Sequence, residues 1–312
     1  MKRFVARRLA LAILLLFVSS VIIFYGLRAA PGDVTTQLVN PANSYSTYLV
    51  ANIKHHLALD KPLLDQYLIF MGNLFKGDPG VSLTNGSPIT HIISSGGVKT
   101  LELGGAAVLL TYLIAIPLGI IAAWRRNSPL DHVSMAIAVL GMGIPNFFLA
   151  ILLIHFFSIK LTWLPAAGSG GLRFLVLPAI VLAAQAIAVN LRMVRSSVLE
   201  QLSRDYVRTL RAKGLPEWRI VSVHAFRNAL PPILALAGVM MRDLLAYTMI
   251  VEVIFRWPGL GYQLVQSILG RDYPTAQTLA LLLTGAVVFF NLLADLGQRW
   301  ADPRVRGSLA RA

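Results

Sequence analysis

Residues 9–27 read LALAILLLFVSSVIIFYGL, an uncharged apolar run directly behind Lys2, Arg3, Arg7 and Arg8. A basic start before a hydrophobic stretch is also the pattern of a secretory signal. A signal's apolar region is only about 7–15 residues long, however, whereas crossing a bilayer takes about 20. The run is therefore read as a retained membrane-spanning helix. Working outward from it, five further stretches are long and apolar enough to span: Leu101 to Trp124, Ser134 to Ile159, Phe174 to Met193, Pro232 to Ile254 and Thr275 to Leu296. The expected fold is an all-α integral membrane bundle of six transmembrane helices. Pro117, Pro145 and Pro178 fall inside these spans and predict kinks, tolerated where neighbouring helices re-satisfy the freed carbonyls.

Composition agrees: 56% of the 312 residues are hydrophobic and only 13% are charged, against about 45–50% apolar in soluble domains. Most of the chain must meet lipid. The formal charge of +14 would point to nucleic acid in a soluble protein, but here its distribution decides. Arg125 and Arg126, the segment from Arg192 to Arg227, and Arg299, Arg304, Arg306 and Arg311 lie on the same side as the basic N-terminus. The opposite short loops hold only Lys160 and Arg173, then Arg256 and Arg271. Both termini are therefore expected in the cytoplasm of a multi-pass plasma-membrane protein, and nucleic acid is not an expected partner. Cysteine is absent, which excludes disulfides, thiolate metal sites and cysteine nucleophiles.

The domain plan that follows is a tail and first span over 1–27, an external domain over 28–99, and a transmembrane core over 100–312. The external region carries the turn signals Pro31-Gly32-Asp33, Asp60-Lys61-Pro62 and Gly77-Asp78-Pro79-Gly80, and Pro62 to Phe75 has the spacing of an amphipathic covering helix. No G-x-x-x-x-G-K-[ST] run occurs, so any ATP must be bound by a partner. There is no H-E-x-x-H, and His55, His56, His91, His132, His155 and His224 are scattered. No metal, cofactor or catalytic residue is expected in this chain. Gly168-Ser169-Gly170-Gly171 is read as a loop, because no histidine or acid stands near it in sequence.

The stretch from Asp205 to Pro231, DYVRTLRAKGLPEWRIVSVHAFRNALP, is too polar to span and too patterned to be a slack linker. It reads as a helix from Ser203, a candidate N-cap, to Lys213, a bend at Gly214, and a second helix opened by Pro216 and Glu217. Such an elbow suits docking into a groove of another protein; the alternative is a helix lying on the bilayer surface.

At these residues the chain resembles the cytoplasmic EAA-type loop of bacterial ABC importer permeases. The form is that of the dipeptide, oligopeptide and nickel permease family, whose members include the B-type dipeptide permease subunits. Ala30-Pro31-Gly32-Asp33, Gly77-Asp78-Pro79-Gly80, Val251-Glu252 with Phe255-x-Trp257-Pro258-Gly259-Leu260-Gly261, Arg271-Asp272-Tyr273-Pro274 and Asp302-Pro303-Arg304-Val305-Arg306 also fit that family, in order along nearly the whole chain. Arg208, Thr209 and Leu210 stand where generic importers carry a glutamate and two alanines, and Leu210 departs mildly from this family's usual Arg-Thr-Ala. The resemblance implies a type I ABC importer permease fold with a coupling loop at about 203–231, involving Tyr206, Arg208, Thr209, Leu210, Ala212, Gly214, His224, Asn228 and Pro231. It further implies a second, homologous permease subunit forming a heterodimer, one or two ABC ATPase subunits that hold ATP and Mg, and an extracytoplasmic solute-binding protein. Glu252, Trp257, Pro258, Gly259 and Gly261 are the corresponding candidates for an external gate or binding-protein contact.

Arg242 and Asp243 fall mid-way along the fifth span, where one such residue at a helix centre costs about 2.5–3.5 kcal/mol. They are expected either to line the solute path, meeting a peptide's carboxylate and amino ends, or to pair with another helix. Neighbours on a helix point about 100° apart, so the two are not expected to neutralise each other. Gln185, Asn190, Asn291 and Asp295 are expected as interhelical hydrogen bonds. Dipeptides or oligopeptides are the expected solute, with nickel or another small solute as the alternative. A secondary transporter would show repeats, and a membrane enzyme a nucleophile with its base; neither pattern is present.

Overall fold

The computed structural model describes residues 2–29 and 61–301, with side chains for 5–29 and 61–295. The Ala30–Asp33 and Asp302–Arg306 motifs lie outside the described residues. The described residues form ten helical elements: α1 (Lys2–Ala29), α2 (Leu63–Phe75), α3 (Ile89–Trp124), α4 (Pro129–Gly143), α5 (Asn146–Lys160), α6 (Leu172–Leu202), α7 (Asp205–Ala212), α8 (Glu217–Ile254), α9 (Leu260–Leu269) and α10 (Tyr273–Ala301). Helices α1, α3, α6, α8 and α10 are each long and apolar enough to cross a bilayer, and the bent pair α4–α5 brings the number to six where its two arms count as one broken span. The only extended pairing among the described residues is the bridge between Val81 and Pro88.

Of the three internal prolines, Pro145 alone breaks its helix. Ile144 is extended at φ −88° and ψ 118°, as the residue before a proline prefers, and α4 and α5 meet at 106°. Pro117 and Pro178 lie inside helices that continue through them. Helix α3 starts at Ile89, well before the expected Leu101, so the 28–99 boundary cuts a helix in two.

The chain divides into two compact units. The first takes residues 1–101 and 257–289. In it α2 lies on α1: the Tyr67 hydroxyl is 2.8 Å from Ser20 Oγ, and the Phe24 and Tyr67 rings meet edge-on at 5.2 Å. The second takes residues 102–256 and 290–312, and α6 is its most buried span. Lipid is as apolar as leucine, so helices here associate by close packing rather than by a hydrophobic drive. Small residues serve that packing: Ala115, Ala138 and Ala188 meet in one cluster, and at Gly119 the backbone of α3 comes so near Val194 that a Cβ would lie 2.7 Å from its side chain.

Candidate functional site

The elbow forms as its punctuation dictates. Helix α7 ends at Ala212, Gly214 takes φ +78°, and Pro216 precedes α8 with ψ 142°. Contrary to the expectation from sequence, Ser203 does not cap α7: its hydroxyl donates to Glu200 O at 2.7 Å and closes α6, and α7 starts after the extended Arg204. Across the bend Arg211 Nε donates to Glu217 Oε1 at 2.5 Å and Nη2 to Oε2 at 3.3 Å. This bond raises the Arg211 guanidinium above its usual pKa, but both side chains are about half exposed, so the pair contributes at most about 1 kcal/mol. The elbow is held from beneath. Val221, Ala225, Ala229 and Ile233 of α8 form one core with Ala123 of α3 and Val194 and Val198 of α6, while Val207 is fully buried.

The second arm of the elbow is not separate from the fifth span. Helix α8 runs from Glu217 through a π-helical stretch, Ile220–Ala225, into the membrane segment. Among the coupling candidates, Arg208, Thr209, Ala212, Gly214, Asn228 and Pro231 are exposed; Tyr206, Leu210 and His224 are half-buried. Trp218, which the sequence reading passed over, stands 57% exposed beside them.

About two thirds of the way along α8, Arg242 Nε and Nη2 both reach Asp243 Oδ1 at 2.8 Å, and Arg242 Nη1 donates to Asn291 Oδ1 of α10 at 3.4 Å. The expectation that the two could not neutralise each other is corrected: the long arginine side chain curls around the helix and covers the 100° between neighbours. Asp243 also lines a small open cleft between α6 and α8, with Gln185, Met240, Leu244 and Tyr247. Of the other polar residues in the spans, Asn190 donates to Ala186 O on its own helix at 2.8 Å rather than across helices, and Asn291 does bond across, to Arg242.

The external candidates are mostly inaccessible. Glu252, Trp257, Gly259 and Gly261 are buried and Pro258 is half-buried, so Glu252 and Trp257 cannot touch a docking protein directly. Within the first unit Trp257 Nε1 donates to Lys99 O at 2.8 Å, and Leu260 N to Thr100 Oγ1 at 2.8 Å. The Trp257–Gly261 segment is thus a brace on the start of α3.

Two family profiles match the chain: that of the binding-protein-dependent transport system inner membrane component over residues 115–307, and that of its N-terminal part over 1–88. The chain belongs to this family. A di/tripeptide transport system permease protein of Pseudomonas aeruginosa is 38% identical over 98% of this chain and 99% of its own length. A glutathione transport system permease protein of Escherichia coli is 36% identical over the same shares. Among solved structures, the MetNI methionine ABC transporter in inward-facing conformations resembles the chain in fold, with TM-score 0.58 and 21% identity over 68% of this chain and 97% of that one. The fold is that of a type I ABC importer permease, and the chain is a multi-pass inner-membrane component.

Of two buried carboxylates of this inner-membrane component, the sequence reading passed over Asp131 and quoted Asp272 only as part of a motif. Asp131 is 1% exposed and holds Arg195 bidentately, Nε to Oδ1 at 2.5 Å and Nη2 to Oδ2 at 2.7 Å, while accepting from Asn127 N. Its local signal is legible in Ser128-Pro129-x-Asp131, where Ser128 caps α4. Asp272, also 1% exposed, accepts from Ser82 Oγ at 2.5 Å, Leu83 N at 3.1 Å and Thr275 Oγ1 at 2.8 Å.

Proposed function

We propose that this ABC importer permease component passes short peptides across the membrane as one half of a heterodimer with a second, homologous permease. In this reading the 203–231 elbow docks on a separate ATPase subunit, which holds ATP and Mg, and an extracytoplasmic binding protein delivers the solute. In the same reading both termini and the elbow face the cytoplasm, which the arginine distribution supports. The peptide class is supported by relatives at 36–38% identity that are di/tripeptide and glutathione permeases. The observation that carries the coupling role is a projecting tip of exposed Arg208, Thr209 and Trp218 on an arm packed into the helix core. A rigid arm ending in an accessible aromatic and a cation is what a groove-docking anchor needs.

The test uses the purified full complex in proteoliposomes, with ATP hydrolysis and peptide uptake measured with and without loaded binding protein. No atom lies within 4 Å of a Cβ at Gly214, so a substitution there acts through its φ of +78° alone. Left-handed backbone costs an L-residue about 1–2 kcal/mol, and more when β-branched. Gly214→Val should abolish stimulated hydrolysis and uptake, while Gly214→Asn, which tolerates this conformation, should keep most of both. Full stimulation and uptake in the valine variant would overturn the coupling role.

A further inference from the structure

The clusters around the buried carboxylates Asp131 and Asp272 are closed. Asp131 has both oxygens engaged, and Asp272 is ringed by donors with no access to solvent. The mid-membrane pair differs. Two of the three guanidinium nitrogens, Nε and Nη2, converge on Asp243 Oδ1, and among the described residues no bond is made to Oδ2. The side chains are 42% and 36% exposed, and Asp243 stands in the wall of an open cleft whose other lining includes the apolar Leu182, Met240 and Leu244, with Gln185 and Tyr247 as its polar groups. Arg242's remaining tie is a 3.4 Å contact to Asn291.

We infer that the Arg242–Asp243 pair is an exchangeable clasp that admits zwitterions: a solute ammonium takes Asp243 from inside the cleft, and the released Arg242 takes the solute's carboxylate. This deepens the peptide-importer reading and rests on it. The argument is charge conservation in a medium that tolerates no unpaired ion. A peptide with both termini free replaces one internal ion pair by two external ones and leaves no charge exposed. A singly charged solute opens the clasp and strands one of its members. Between turnovers the closed clasp leaves no bare acid to attract cations. The arginine side chain is long and flexible enough to follow carboxylates at different distances from the ammonium. Met240 is a wall that adapts to varied first side chains.

The experiment compares uptake of leucyl-leucine with free termini, its N-acetyl form and its C-terminal amide by the full reconstituted complex. The same binding protein is used throughout, so variant-to-parent ratios isolate the permease. Arg242→Gln leaves an acid alone and should raise the amide relative to the free dipeptide at least tenfold. Asp243→Asn leaves a cation alone and should do the same for the N-acetyl form. The double variant should lose discrimination among the three. Parallel loss of all three probes in both single variants, or parental preference in the double variant, would overturn the clasp. Should the single variants fail to assemble, the double variant, which strands no charge, decides by the same criterion. Failure of the parent complex to import any of the three with ATP would overturn the peptide reading, and the clasp with it.

Discussion

Asp272 and Ser82 are 190 residues apart in sequence, yet the carboxylate is shut from solvent by donors drawn from both places. Leu83 N and Thr84 Oγ1 add to Ser82 on one side, and Thr275, through its amide and hydroxyl, closes the other. Hydrogen bonds to a charged acceptor are worth about 1.5–3 kcal/mol each, and a buried donor left without a partner costs about 1–3 kcal/mol. Asp272→Ala should therefore destabilise the turn at 81–88 by several kcal/mol. It should be seen as a lower melting temperature in detergent and as faster proteolysis there. Asp272→Asn keeps an acceptor and should fall between the parent and the alanine variant. A parental melting curve for the alanine variant would show that these bonds do not hold the turn. Arg242 teaches the complementary lesson. A neighbour on a helix is out of reach for a short side chain but not for a guanidinium on a flexible stem, so the angular rule misjudged this pair.

Among the elements, the crossing of α3 with α6 is the contact most sensitive to volume. A Cβ on Gly119 would lie 2.7 Å from both Cβ and Cγ1 of Val194 and 3.1 Å from Leu191 O, and a β-branched side chain has no spare rotamer with which to withdraw. On α4 the same change is mild, since a Cβ on Gly141 meets Ala188 Cβ at 3.5 Å. Gly119→Ala should destabilise the protein by about 1–3 kcal/mol through overpacking, and Gly141→Ala should be near neutral. Thermal unfolding in detergent, followed by tryptophan fluorescence, compares the two; equal behaviour would refute the close crossing. The spans themselves were legible, because hydropathy reports the lipid-facing length directly. The early start of α3 was not: residues 89–100 mix four aliphatic residues with glycines and polar ones, and they are held partly by contacts with Trp257 and Leu260 that no local window contains. The Pro145 break and the Gly214 bend were legible because each has a local backbone cause, whereas the partners of Asp272 and Arg195 are tertiary.

On the scale of the whole molecule, the notable fact is that one helix carries both candidate sites. Helix α8 joins Glu217 at the elbow to Asp243 at the cleft without a break, roughly 39 Å at about 1.5 Å per residue. A displacement of the elbow by an ATPase partner would reach the clasp as the movement of a rod, provided the rod is stiff. Its weakest place is Pro231-Pro232, which lack the N–H groups that would bond the carbonyls four residues back. Both prolines are exposed, so the backbone there can be altered without disturbing the core that holds Ala229 and Ile233. Replacing the pair by Ala-Ala restores the missing bonds and gives the best helix former; Gly-Gly restores the same bonds but weakens the helix by about 1 kcal/mol per residue relative to alanine. If α8 transmits the stroke, the Ala-Ala variant should keep hydrolysis dependent on loaded binding protein and keep uptake. The Gly-Gly variant should hydrolyse ATP with little uptake, the signature of a drive disconnected from its gate. Both substitutions leave the docking tip and the Arg242–Asp243 pair untouched, so the ratio of peptide imported to ATP hydrolysed reads the connection alone. The same ratio in both variants and the parent would assign transmission to another element.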